Sequence, residues 1–170
     1  MPANSNNVSS ISIDRHTMQF ILRSAIDALP ARCFGLIGQE SGRKAEGHKS
    51  FTITHTSPQA AFGAAKSAAQ HLINCDLQHT LESWQQQSIL PCGIYFSTEN
   101  GKLPEVEALQ SIEREFLKKV PACAESAPVL MPLMLNTAGC LEAFAYLMEG
   151  KTLQSVPLLL AEDGQQTKNG

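Results

Sequence analysis

The sequence predicts an α/β (α+β) fold: one domain with a mixed, mostly antiparallel sheet flanked by helices. Hydrophobic residues make up 43% and charged residues 17% of the 170 residues, a composition typical of a globular domain. Segments in which apolar and polar residues alternate are interspersed with segments in which apolar residues recur every three or four positions, so strands and helices share the chain. The last two predicted strands are joined by a tight turn, which indicates an antiparallel pair.

The chain begins with a short strand and an amphipathic helix. Residues 11–13 alternate, and Asp14 is a favourable N-cap for the helix that follows. Over residues 15–29 the apolar positions give the helix one core face, and Pro30 ends it. The apolar run at residues 33–38 then predicts a buried strand.

A hairpin and two helices come next. Residues 51–55 alternate as the partner strand of residues 33–38, across a polar turn at 39–49. Helical patterns follow over residues 60–73, where alanine is frequent, and over residues 76–87.

The second half of the chain supplies most of the predicted sheet. A strand is expected over residues 89–96, beginning only after Pro91 because proline cannot donate a hydrogen bond to a sheet. Pro104 suits the first turn of a helix that ends near residue 119. The remaining predicted strands are 129–136, 140–148 and 153–160, the last two joined by a turn at 149–151.

The predicted domain spans residues 11–160, between a disordered tail at 1–10 and a polar tail at 161–170. Apolar runs fall far short of the about 20 residues of a spanning helix, and no secretory leader is evident. The five cysteines lie singly, which favours reduced thiols. We therefore expect a cytoplasmic protein with no membrane contact. The net charge of -3, without any basic cluster, argues against nucleic acid as a partner.

Three segments resemble the JAB/MPN (Mov34, JAMM-type) domain family. CFGLIG at 33–38 resembles the family's "P-x-E-x-C-G-L-L-x-G" strand, and GIYFST at 93–98 resembles its "G-x-Y-H-S-H" strand end. AFAY at 143–146 resembles the start of its closing hairpin. With their order and spacing, the resemblance covers residues 11–160 and implies a JAB/MPN-like, cytidine-deaminase-like domain.

The resemblance also implies that the family's catalytic site is lost. Active members are zinc-dependent hydrolases of peptide or isopeptide bonds, with two histidines and an aspartate on the metal and a glutamate as base. Arg32 stands where the base is expected, and Phe96 and Thr98 stand where the histidines are expected. The aspartate position falls on Glu107 or Gln110. Arginine cannot accept a proton and phenylalanine has no lone pair, so we expect no metal and no cofactor.

We therefore expect a catalytically inactive JAB/MPN-like domain that acts as a protein–protein interaction or assembly module. The resemblance implies pairing with a second copy or with an active relative. The former active-site groove could still hold a peptide tail, including that of a ubiquitin-like protein, with a carboxylate on Arg32 and an apolar contact on Phe96. The predicted groove residues are Arg32, Phe96, Ser97, Thr98 and Glu99.

Three alternatives stay open. The first is a zinc-dependent peptidase or isopeptidase with a relocated site, whose three ligands would come from His55, His71, His79, Glu99 and Glu107. The second is a thiol site, because Cys33 and Cys92 lie on strands that the resemblance places close together near the former metal position. The third is a different α/β domain, in which the strands that end at Gly38 and Phe96 are not neighbours.

Overall fold

The computed structural model describes residues 10–40, 50–62, 67–98, 102–123, 127–149 and 152–161. The strands in these ranges are β1 (Ser10–Asp14), β2 (Phe34–Glu40), β3 (Ser50–Ile53), β4 (His55–Pro58), β5 (Ile89–Ser97), β6 (Val129–Leu135), β7 (Leu141–Ala143), β8 (Ala145–Glu149), β9 (Thr152–Val156) and β10 (Leu158–Ala161). The helices are α1 (Arg15–Ala28), α2 (Ala68–Asn74), α3 (Gln78–Gln86) and α4 (Val106–Lys119), followed by a 3₁₀ turn at Pro121–Cys123.

The strands form two sheets. The larger sheet has the order β4-β2-β5-β6-β8-β9, with β7 also paired to β6, and each of its pairings is antiparallel except β5–β6. The smaller sheet has the order β10-β1-β3 and is parallel throughout. The predicted α/β (α+β) fold with a mostly antiparallel sheet and flanking helices is confirmed. The second sheet was not predicted.

Strand β5 divides the core into two clusters. It pairs with β2 from Phe34↔Phe96 to Glu40↔Ile89 and with β6 on its other edge, so β2 and β5 are neighbours, as expected. Because side chains alternate along a strand, Ile94 and Phe96 face α2, α3 and α4, whereas Tyr95 faces α1 and β1. Both clusters are built around side chains that are almost fully buried.

The predicted hairpin at residues 51–55 is wrong, because the chain changes sheets at Thr54. Strand β3 pairs with β1, and only β4, which begins at His55, pairs with β2. The Thr54 amide donates to the Gly38 carbonyl at 3.0 Å at this point. Ile53 is fully buried in the same cluster as Ile11, so its burial against β1 decides the pairing.

The helix predicted over residues 60–73 begins only at Ala68. Phe62 is extended instead, since its amide and carbonyl both bond to the backbone of Arg32, at 2.9 and 2.8 Å. Ser67 then starts α2 with a capping box that it forms with Gln70. The intervening residues 63–66 lie outside the described ranges.

Three further differences from the prediction lie at prolines. Strand β5 begins at Ile89 and not after Pro91, and its pairing with β2 continues past Pro91 through a bulge at Cys92. Pro104 precedes the N-cap Glu105 of α4 and lies outside the first turn. The last predicted strand is broken at Pro157, after which β10 leaves β9 and joins β1.

The predicted strand at 140–148 is broken as well. It divides into β7 and β8 on either side of Phe144, whose amide donates to the Pro132 carbonyl at 3.1 Å. At the domain boundaries, β1 begins at Ser10 and β10 ends at Ala161, one residue beyond the predicted limits. The predicted tails lie otherwise outside the described residues.

Gly93→Ala tests the close contact between β5 and β6. A Cβ at Gly93 would overlap the Val129 backbone, which cannot rotate away, so we expect the free energy of unfolding to fall by about 3 kcal/mol. Gly139→Ala is the matched control: a Cβ there meets open space, and only its φ of +85° is unfavourable, at about 1 kcal/mol. Urea denaturation measures both, and equal losses would contradict the contact.

Candidate functional site

Four of the five predicted groove residues line one cavity. It has a volume of about 440 Å³, within the usual range for small-ligand pockets, and is lined by Arg32, Phe96, Ser97 and Thr98. The walls that the sequence did not predict come from the starts of α2 and α4 and the segment before α4, and are formed by Ser67, Ala68, Ala69, Lys102, Leu103, Pro104, Glu105, Ala108, Ser111 and Ile112.

The two remaining predicted positions differ. Glu99 lies outside the described residues. Glu107 lies exposed on α4, two residues after Glu105, and does not line the cavity. One feature of the sequence could have indicated part of the wall that was missed. Pro104 and Glu105 mark the start of a helix shortly after the strand that ends at the cavity.

Arg32 is held in place by its backbone. The two hydrogen bonds to Phe62 fix it between the end of α1 and the start of β2, and its side chain is half-buried at the cavity. A guanidinium group has five N–H donors in a planar fork, so it can hold a carboxylate through two of them.

Ser97 links the end of β5 to the residue before β2. Its Oγ accepts from the Cys33 amide at 2.8 Å and donates to the Cys33 Sγ at 3.1 Å. The Ser97 amide also donates to the Cys33 carbonyl at 3.1 Å. The hydroxyl proton of Ser97 is therefore directed at the protein and not at the cavity.

Thr98 is bound to the scaffold in a similar way. Its amide and its Oγ1 both donate to the Leu133 carbonyl, at 2.9 and 3.3 Å. Phe96 is only 2% exposed, so its ring forms the floor of the cavity as part of the core. The cavity therefore offers a ligand an apolar floor and the lone pairs of the Ser97 and Thr98 hydroxyls. Its charged groups are those of Arg32, Lys102 and Glu105.

The histidines proposed for a relocated metal site lie in separate environments. His71 stacks on Phe62 with ring centroids 4.8 Å apart, and its edge contacts Phe34 at 5.2 Å. His55 begins β4, with its Nδ1 2.8 Å from Thr54 Oγ1, and His79 is exposed on α3. Within the described ranges, no three His, Cys, Asp or Glu side chains are grouped so that they could hold a metal ion.

The strands that carry Cys33 and Cys92 are neighbours, as expected, but the two cysteines lie at different places along them. Cys33 lies beside Ser97, whereas Cys92 lies near the other end of β5, before Gly93, which pairs with Ile37. Two strands that pair antiparallel bring opposite ends together, which separates these thiols. Burial raises the pKa of both thiols, although the Ser97 hydrogen bond partly opposes this at Cys33. Both groups are therefore protonated near neutral pH and are weak nucleophiles.

Comparisons with known proteins give a fold and no family. The sequence matches no family profile and no curated protein. Among solved structures it is similar to the solution structure of protein DSY2949 from Desulfitobacterium hafniense, with 15% identity over 90% of this chain and 94% of that chain and a TM-score of 0.58. The similarity shows a shared α+β fold, and the JAB/MPN resemblance stays a prediction. In the parts of the chain that the structure describes, no helix is long and apolar enough to cross a membrane.

Ser97→Ala tests the link to Cys33. The Cys33 amide would lose its side-chain acceptor, so we expect the free energy of unfolding to fall by about 1–2 kcal/mol. Thermal unfolding measures this, with Ser155→Ala on the exposed face of β9 as the control. A loss no larger than that of the control would show that the hydrogen bond contributes nothing.

The cysteines should differ sharply in reactivity. Cys140 is exposed, whereas Cys123 is 3% exposed and burial raises the pKa of its thiol to about 11. At pH 8 about one Cys123 thiol in a thousand is a thiolate, and this fraction grows about tenfold per pH unit up to the pKa. In iodoacetamide labelling read by peptide mass spectrometry, we expect Cys140 to react first and Cys123 only after urea unfolding. Equal native labelling of both would contradict the described burial.

Proposed function

We propose that this chain is a catalytically inactive JAB/MPN-like domain that acts as a protein–protein interaction or assembly module. In this proposal the cavity holds a segment of the partner protein. The observation that supports it best is the convergence of four groove residues, predicted from sequence, on one cavity of ligand size. The proposed module acts in the cytoplasm and needs neither nucleic acid nor a membrane.

The chemistry of the cavity favours binding over hydrolysis. Arg32 stands at the proposed position of the general base, and a guanidinium group offers hydrogen-bond donors and no acceptor. Ser97 donates its hydroxyl proton to Cys33, and no described histidine or carboxylate is bonded to it as a base. Apolar side chains at Phe96 and Ile112, next to the cations of Arg32 and Lys102, suit recognition of an extended segment.

The competing zinc peptidase would need ligands that converge. Among the described candidates, His71 packs between two phenylalanine rings, and His79 and Glu107 are exposed on different helices. No observation in the described ranges favours this second function.

Metal analysis separates the two functions. We expect the purified full-length chain to contain far less than one zinc per molecule, before and after incubation with zinc and removal of the excess. Inductively coupled plasma mass spectrometry measures the content, and a stoichiometric zinc that survives mild chelation would overturn the inactive assignment.

Filling the cavity tests the binding role. Phe96→Ala is unsuitable because it removes a core side chain and would cost about 3–5 kcal/mol. Ala108→Trp instead places an indole at an exposed position of the lining on α4. The matched control is Ala122→Trp, at an exposed position in the 3₁₀ turn that does not line the cavity.

We expect a random twelve-residue peptide library to enrich peptides that bind the full-length chain and the Ala122→Trp variant. Binding to the Ala108→Trp variant should be at least tenfold weaker in fluorescence anisotropy. The proposed docking function would be abandoned if no peptide is enriched, or if every enriched peptide binds both variants equally.

A further inference from the structure

The strand at one end of the smaller sheet is unusual for an edge strand. Strand β10 pairs with β1 on one side and, among the described strands, with none on the other. Its side chains are all apolar, and Leu159 and Leu160 are 50% and 54% exposed. The other strands at the ends of the two sheets, β3, β4 and β9, each contain polar side chains. Polar or charged residues on an edge strand discourage pairing with another chain, and β10 lacks them.

The backbone of β10 presents donors and acceptors at this edge. The Ile11 amide donates to the Pro157 carbonyl at 2.9 Å, which fixes the groups of β10 that point towards β1. Because successive residues of a strand direct their backbone groups to opposite sides, Leu159 also points its N–H and C=O at β1. Leu158 and Leu160 therefore direct their N–H and C=O groups outwards. No described backbone group bonds to these outward groups.

We propose that a second copy of this chain pairs with this edge, β10 against β10, as antiparallel strands related by a two-fold axis at Leu159. In this register Leu158 of one copy lies opposite Leu160 of the other, and the outward N–H and C=O groups of the two strands bond to each other. Leu159 lies opposite the same residue of the second copy. Each leucine therefore faces a leucine, and no like charges are opposed.

The symmetry of the edge favours a second copy over a different protein. A two-fold axis requires a surface that is complementary to itself. The three leucines read the same in both directions around Leu159, and their outward groups match under the same rotation. Pro157 lies opposite Ala161 at each end of this register, and the ladder ends there because proline has no N–H. The pairing is short, and interfaces below about 1,200 Å² are typical of transient contacts, so we expect a weak, reversible dimer.

This surface is separate from the cavity. No residue of β10 belongs to the described lining. Leu158 packs on the core cluster that contains Tyr95, whereas Phe96 at the cavity belongs to the cluster on the other face of β5. The inference therefore goes beyond the proposed docking of a partner segment, and a dimer formed through β10 would have two cavities.

Sedimentation velocity of the full-length chain measures the pairing. We expect the mass of the sedimenting species to rise from that of one chain towards that of two as the concentration increases from micromolar to millimolar. Leu159→Lys and Leu159→Glu each place like charges opposite each other at the two-fold axis, so each should weaken association at least about tenfold. A one-to-one mixture of these two variants opposes unlike charges, and it should restore association to within about threefold of the parent chain.

Two controls separate pairing from folding. Leu159 lies on the same face of the smaller sheet as Ser12, its partner in β1, and away from Ile11 and Ile13 in the core. Both changes at Leu159 should therefore leave the midpoint of urea unfolding unchanged. Leu90→Lys is the matched control, because Leu90 is 54% exposed on β5, and it should leave association unchanged.

Three results would each overturn the inference: a parent chain that stays monomeric at every concentration, a dimer that Leu159→Lys does not weaken, or a mixture that fails to restore pairing. A monomer would assign the edge to a strand of another protein or to residues of this chain outside the described ranges. The peptide test with Ala108→Trp concerns the cavity alone, so the failure of one proposal leaves the other standing.

Discussion

The pairing of β5 with strands on both of its edges is the constraint on which the rest of the structure depends. A Cβ at Gly93 would overlap the Val129 backbone, and one at Gly35 would overlap the Tyr95 ring, so both close approaches require glycine. With β2, β5 and β6 fixed in register, Phe34 lies opposite Phe96, and Ser97 reaches Cys33. The pairing also fixes the position of the cavity floor, because the floor is formed by Phe96 near the end of β5.

The cavity joins a fixed frame to a wall made by other elements. Its floor and back are parts of paired strands whose polar groups bond to each other, as at Ser97 and Thr98. Its front wall comes from the starts of α2 and α4 and contains charged side chains. The hydroxyl groups that hold the frame are thus not the charged side chains that would select a ligand.

Local patterns were enough to predict single elements and too little to predict their partners. Helix α1 follows from its apolar spacing and from Pro30, and β6 follows from its apolar run. The division at Thr54 and the departure of β10 at Pro157 depend on which distant strand is available, and periodicity does not encode this.

The candidate site was predicted only in part for the same reason. The four predicted residues that line the cavity lie on or beside two strands that pair, so a motif on each strand was enough to bring them together. They are Arg32, Phe96, Ser97 and Thr98. Lys102 and Glu105 belong to a connection and a helix start. Helix α2 begins only at Ala68, after Phe62, which is held extended by its hydrogen bonds to Arg32. Those wall positions follow from tertiary packing, which no local pattern reports.

The smaller sheet has a consequence for the order in which the protein assembles during synthesis. Its middle strand, β1, is the first strand described, whereas one of its two neighbours, β10, is the last. During synthesis β1 therefore leaves the ribosome long before β10, the strand that covers its second edge. Ile11 can pair with Leu158 only after β10 has been made. Until then β1 exposes an unpaired, isoleucine-bearing edge, so the nascent chain passes through a stage in which protection by a chaperone would matter most.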